Sequence, residues 1–271
     1  MLIALRAAAR LAGLGLHLLL GLATAAVLFP WIAPKLRLKL RRHWSRRLLS
    51  VLGVELCVMG GSPQGLLVAN HISFLDIFVI NAVKPVAFVS KDEVRRWPLI
   101  GWLAAHADTV FLERGSRSAA QRARAALVER LAAGDRAAIF PEGTTTNGEK
   151  VLPFHGALFQ AAIDAGAPVT PLALRYFDAS GKLSHAPAYI DDITLWQCLV
   201  AIARADGLVA EVDILGPIPS LIADRRHLAA HAHRAIAHAV GVGYGQSRPA
   251  LPHPRPIANV ATATFPHGRG D

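Results

Sequence analysis

Between residues 55 and 240, short apolar runs alternate with segments of helical periodicity. This alternation constrains the fold more than any other feature of the chain. Glu55–Met59, Leu66–Asn70, Pro85–Ser90, Thr109–Glu113, Ala137–Phe140, Val169–Tyr176 and Leu208–Leu215 read as strands. Phe74–Val83, Asp92–His106 (interrupted near Pro98), Ser118–Ala133, Ala157–Ala165, Thr194–Arg204 and Asp224–Val240 read as helices. Strands separated by helices predict an α/β fold, a mixed sheet flanked by helices. A chain of 271 residues holds one large domain or two small ones and can bury a substantial core. No repeat of solenoid period is present.

The N-terminus is different. Leu11 to Ala33 carries no charged residue, and its length as a helix matches a hydrocarbon core of roughly 30 Å. The formal net charge of +10 is concentrated beside it: Arg6, Arg10, Lys35, Arg37, Lys39, Arg41, Arg42, Arg46 and Arg47 precede the first acid, Glu55. Trp31 and Trp44 flank the cluster, and such residues suit a membrane interface. The heavier basic flank is C-terminal, which places the rest of the chain in the cytoplasm by the positive-inside rule. Full spanning is favoured slightly over a half-inserted helical hairpin bent at Pro30 and Pro34. A secretory signal ending at Ala23-Thr24-Ala25 is disfavoured, because apolar sequence continues past it and the basic cluster opposes export. The apolar neighbour also argues against nucleic acid as the partner of the basic cluster. The organisation expected is residues 1–50 as a membrane anchor with a basic juxtamembrane segment, 51–245 as the globular domain, and 246–271 as a flexible tail. Cys57 and Cys198 offer neither a disulfide framework nor metal spacing, which fits a reducing compartment.

Asn70-His71-Ile72-Ser73-Phe74-Leu75-Asp76 follows an apolar strand. On a continuous helix an offset of five turns His71 and Asp76 apart; across a strand-to-helix turn they can meet. An imidazole held by a carboxylate can take a proton from a hydroxyl. Ser73-x-x-Asp76 also fits a helix-opening capping box, a purely structural role for Asp76. Phe111-Leu112-Glu113-Arg114 ends another strand with a guanidinium suited to phosphate or carboxylate. Phe140-Pro141-Glu142-Gly143-Thr144 makes a tight turn after a buried strand, where ligands of open α/β sheets usually sit. Gly143 to Lys150 mimics a phosphate-binding loop but lacks its Gly-Lys-Ser/Thr ending. Gly241-Val242-Gly243-Tyr244-Gly245 follows a helix rather than a strand, which rejects a dinucleotide loop. No nucleophile elbow is present, which weakens a serine-hydrolase reading. His227, His231 and His238 share a helix face without a metalloprotease motif and read as a solvated or membrane-facing stripe rather than a metal site.

Taken in order, these blocks resemble the lysophospholipid acyltransferases, the group containing the 1-acyl-glycerol-3-phosphate acyltransferases. The resemblance rests on Asn70-His71-x-x-x-x-Asp76, Phe111–Arg114, Phe140–Thr144 and Ala167-Pro168-Val169-Thr170-Pro171-Leu172, and covers roughly Leu66 to Tyr176. It implies a glycerolipid acyltransferase-like fold. It also implies transfer of a fatty acyl group from acyl-CoA or acyl carrier protein to a lysophospholipid hydroxyl. The enzyme would sit at the cytoplasmic face of a membrane, the bacterial inner membrane, amid membrane lipid. By the same resemblance His71 is the general base and Asp76 its orienter. Arg114 binds the acceptor phosphate. Glu142, Gly143 and Thr144 shape the acceptor pocket, and Pro171 supports the acyl side. No metal and no cofactor is expected beyond the acyl donor.

The expected acceptor is 1-acyl-glycerol-3-phosphate, giving phosphatidic acid. Two departures reduce positive charge near it: Thr145 stands where the family often has Arg, and Pro153-Phe154-His155-Gly156 stands where a lysine pair is common. A lyso-ornithine lipid, with a zwitterionic head, is the alternative, and Asp191-Asp192-x-x-Leu195-Trp196 faintly resembles that branch. Alternatives of other classes are a lipid hydrolase and a non-catalytic membrane scaffold.

Overall fold

A computed structural model describes residues 1–91, 109–112, 117–221 and 224–242 of the chain. The helix expected over 92–106, Glu113, Arg114 and the tail 246–271 lie outside the described residues. Strands β1 (Val54–Gly60), β2 (Leu66–Ala69), β3 (Ala87–Lys91), β4 (Val110–Leu112), β5 (Ala137–Ile139), β6 (Val169–Phe177) and β7 (Leu208–Ile214) form one sheet, in the order β1-β7-β6-β2-β5-β3-β4. It is mixed: β6 and β7 pair antiparallel and the other neighbours parallel. Helices α1 (Leu2–Val27), α2 (Pro34–Leu52), α3 (Leu75–Val83), α4 (Arg117–Ala132), α5 (Gln160–Asp164, entered through a 3-10 turn), α6 (Leu195–Arg204) and α7 (Arg225–Val242) cover it.

Burial follows the topology. Val68 and Ala69 of β2 and all of β5 are buried, as expected of central parallel strands covered on both faces. One core, from Leu48, Leu52, Leu75, Ile80, Leu174 and Ile202, lies under α2, α3 and α6. The other, from Leu127, Phe159, Leu228 and Ile236, lies under α4, α5 and α7. Successive side chains of β6 serve the two in turn, because strand side chains alternate between faces. Thr194 opens α6 with a full capping box, satisfying two otherwise orphaned backbone donors.

The N-terminal region is two helices, the apolar α1 and the basic α2. Residues 28–33 turn the chain and Pro34 opens α2, where a missing N–H costs nothing. Gly53 ends α2 at φ 73°, a left-handed conformation that favours glycine, and its N–H closes on Leu49 and Ser50 carbonyls. The boundary expected at residue 50 therefore falls inside α2, whose Leu48, Leu49 and Leu52 belong to the core. Arg42 and Arg46 donate to the Ala82 carbonyl at the C-terminal end of α3. Cations there complement the helix dipole, so part of the basic cluster is structural.

α1 packs along α2 and α6. Arg6 reaches Asp206 at 2.5 Å, and Arg10 donates to the Ala203 and Ala205 carbonyls. Further along, the His17 ring stacks on Trp44 at 4.8 Å. Ala7, Leu14, Gly21 and Ala25 form the buried stripe, while Leu16, Leu19 and Leu20 are each more than half exposed.

Candidate active site

β2 ends at Ala69, and the chain leaves it in a loop that the rest of the fold pins on every side. Asn70 continues the pairing with β6 by its side chain: Nδ2 donates to the Leu174 carbonyl at 3.0 Å and Oδ1 accepts from the Leu174 N–H at 2.8 Å. The N–H of His71 donates to Glu142 Oε1 at 2.7 Å, and its carbonyl accepts from the Thr146 N–H at 2.9 Å. The Ile72 carbonyl accepts from the Tyr189 N–H at 3.0 Å. His71 thus has no backbone freedom to turn away, and its ring stacks on Phe140 with centroids 3.9 Å apart.

His71 and Asp76 meet. Nδ1 lies 2.8 Å from Asp76 Oδ2, which also accepts from the N–H groups of Ile72 (2.7 Å) and Ser73 (2.9 Å). The other oxygen, Oδ1, accepts from the hydroxyl of Tyr176 at 2.7 Å. A carboxylate accepts only, so Nδ1 carries the proton and Nε2 is left as the basic nitrogen. Asp76 is wholly buried, whereas the imidazole keeps 19 % exposure, enough for a reactant to reach its edge. The two readings of Asp76 combine in one residue. The bond from the Ser73 N–H is half of a capping box, and the bond to His71 is a dyad. The other half is missing, because Ser73 Oγ accepts from the Leu75 N–H instead.

Glu142 is almost completely buried and holds two strands of loop together: besides His71 it accepts from the Leu152 N–H at 2.7 Å. Burial pushes its carboxyl above the ordinary range, against the pull of these two bonds and of His71. It faces inward as a clamp on the His71 loop. Gly143 sits beside it at φ 70°, which the tight turn requires. Thr144 is exposed in that turn, and Thr145 donates its hydroxyl to the Tyr189 carbonyl. Pro171 is buried in β6 opposite Val68. Arg114 lies outside the described residues. Among the described residues no cluster of His, Cys, Asp and Glu has the makings of a metal site.

Asn70, which heads the His71–Asp76 block, also belongs to the site, as do Thr146 and Tyr176, to which the sequence alone gives no role. Tyr176 carried a signal: with Arg175 it interrupts the otherwise apolar run of β6, and a buried phenol needs a partner.

With that geometry in view, comparison with known proteins is decisive. Residues 54–175 match the family model described as Acyltransferase. The chain is 43 % identical over 206 residues to the lyso-ornithine lipid O-acyltransferase of Pseudomonas aeruginosa, covering 74 % of this chain and 78 % of that protein. The chain belongs to the lysophospholipid acyltransferase family. It is an O-acyltransferase with the expected fold, and the same likeness extends to the enzyme of that name from Rhodobacter capsulatus, 35 % identical over 258 residues, 85 % of this chain and 92 % of that one. The 1-acyl-sn-glycerol-3-phosphate acyltransferase of Neisseria gonorrhoeae is 44 % identical over 154 residues, 56 % of this chain and 60 % of that protein. In three dimensions the crystal structure of the 1-acyl-sn-glycerophosphate acyltransferase PlsC from Thermotoga maritima shares the fold. Its TM-score is 0.61 at 22 % identity, covering 88 % of this chain and 98 % of that one.

Proposed function

We propose that this acyltransferase moves a fatty acyl group from a thioester, acyl-CoA or acyl carrier protein, to the free hydroxyl of a lysolipid. The observation that carries the reading is the buried Asp76 holding the partly exposed His71 ring by Nδ1, which leaves Nε2 as the nitrogen without that carboxylate. Nε2 takes the proton of the acceptor hydroxyl as its oxygen attacks the thioester carbonyl. When the tetrahedral adduct collapses, the carbon–sulfur bond breaks and the proton passes from His71 to the departing thiolate. Ester and thiol are the products, and no protein nucleophile is consumed. Pre-paid orientation of the base is the main contribution of the Asn70–Asp76 loop.

Two acceptors compete for this reading. A lyso-ornithine lipid is favoured over 1-acyl-glycerol-3-phosphate on two grounds. The alignments to proteins of the first name run 206 and 258 residues, against 154 and 160 for the second. Thr145 and the Pro153–Gly156 stretch also stand where the family often carries cations, which reduces the positive charge open to a phosphate beside Glu142.

The reading includes membrane attachment through α1 in a half-inserted, not a spanning, arrangement. By length and apolarity α1 qualifies as a span. Yet its N-terminal turns are bound to Asp206 and the end of α6, and its later turns to Trp44. A crossing helix would carry one end roughly 30 Å from the domain. Exposed Leu16, Leu19 and Leu20 enter one leaflet, and the basic α2 meets anionic head groups.

The test is a competition assay. Membranes containing the protein receive labelled acyl-CoA or acyl carrier protein with both lysolipids together. Expected is His71-dependent label in the diacyl product, ornithine lipid foremost. Label appearing only as free fatty acid would turn the reading toward a hydrolase.

A further inference from the structure

We propose that Tyr176 is a positioning residue that sets the proton affinity of the His71–Asp76 dyad. The inference rests on the reading of His71 as base.

The geometry is specific. Tyr176 comes from β6, a hundred positions beyond Asp76, and its hydroxyl donates to Oδ1 at 2.7 Å. Oδ2 is already occupied by His71 and two backbone N–H groups. The phenol is therefore what fixes the rotation of the carboxylate on its second oxygen. Both groups are buried, where a lost donor is not replaced by water. Burial and the adjacent Asp76 hold the Tyr176 hydroxyl well above its ordinary value, so it stays a donor throughout the working range.

Among the described residues, the other titratable groups facing the dyad do not duplicate this function. Glu142, from the loop after β5, spends its oxygens on backbone N–H groups. Cys198, from α6, donates to the Pro187 carbonyl, and burial pushes its thiol up to about 11.

The sign follows from treating the dyad as one unit. To act as a base, the pair must be a neutral imidazole beside an ionised carboxylate. Donation from Tyr176 stabilises that charge and so opposes uptake of a proton by the pair. Remove the donor, and the pair protonates more readily whether the proton settles on the imidazole or on the carboxylate. The acidic limb of the rate profile therefore moves to higher pH. Strengthen the donor, and the limb moves down.

Tyr176→Phe in the full chain, assayed in mixed micelles of a lysolipid with acyl-CoA, tests this. Expected is an acidic limb of kcat raised by about one pH unit, a tenfold change in proton affinity, with KM for either substrate unchanged. Cys198→Ala is the packing control: its melting temperature falls and its limb stays at the parental pH. Biosynthetic replacement of tyrosine by 3-fluorotyrosine keeps the ring and makes a stronger donor. It covers the case in which the Phe variant does not fold, and should lower the limb. A limb that stays at the parental pH in either modified protein overturns the inference. His71→Gln separates this from failure of the underlying reading: a fully active Gln variant removes the base itself, whereas an inactive one beside an unmoved limb removes Tyr176 alone.

Discussion

Two carboxylates lie buried on opposite faces of one sheet, and they are treated in opposite ways. Glu211 of β7 sits 2.6 Å from Arg175 of β6, and that guanidinium also donates to the Ala239 carbonyl of α7. Asp76, in the first turn of α3, is surrounded by neutral donors: two peptide N–H groups, a phenol and an imidazole. In the first arrangement a permanent cation neutralises the charge, and the pair ties strand to helix. The second leaves a negative charge stabilised but not cancelled, so it still rewards a proton arriving on His71. Neighbouring residues of one strand, Arg175 and Tyr176, make the difference, because alternate side chains point to alternate faces. Burial of a carboxylate alone does not mark a working site.

The sharpest way to break this contrast is to remove the imidazole. His71→Gln should lower kcat by about 10³-fold with little change in melting temperature, since general-base contributions are typically 10²–10⁴-fold. Asp76→Asn should follow at about 10²-fold. It offers an amide N–H where an acceptor is needed, so the imidazole loses its orientation. Here the melt should drop too, by roughly 1–3 kcal/mol in unfolding free energy, because Ile72 and Ser73 also donate to that carboxylate. Arg175→Met should reverse the pattern on the other face. Stripping Glu211 of its guanidinium costs about 3–5 kcal/mol of stability, measured by denaturant titration, while the activity of the folded fraction and its pH limb stay parental. The smallest effect is expected from Glu142→Gln. Burial raises the Glu142 pKa above its ordinary 4.5, so the folded state binds the proton more tightly than the unfolded one. The parent should therefore lose stability as pH rises from 4.5 through the raised value, and the Gln variant should lack that decline. Its kcat should fall about tenfold or less, because one of two clamped N–H groups loses its acceptor.

Most of the fold could be read in advance, and the reason is local. Alternating apolar runs and helical periods place strands to within a residue or two, and Thr194 announces the start of α6. The dyad was legible for the same reason, since His71 and Asp76 are five apart and separated by one turn. What escaped was contributed at long range. Tyr176, a hundred residues from Asp76, arrives through the β2–β6 pairing, which sequence alone does not register. Glu142 was legible as important, yet its inward orientation depends on the Leu152 N–H closing from the following loop. The basic cluster after residue 34 read as a juxtamembrane segment. Its charge pattern does not reveal that Arg42 and Arg46 cap α3, whereas the turn at 28–33 that folds α1 back along α2 falls where the hairpin alternative puts its bend, at Pro30 and Pro34.

The central claim is that Asp76 holds His71 as the Nδ1–H tautomer with Nε2 free to accept a proton. Nitrogen-15 NMR of the imidazole in the detergent-solubilised full chain, assigned by comparison with His71→Gln, reads that state directly. The account predicts a protonated Nδ1 and a bare Nε2 at the pH of full activity, with the imidazole titrating where the acidic limb of kcat falls. A proton resident on Nε2 at that pH, or a titration midpoint well away from the limb, would contradict it.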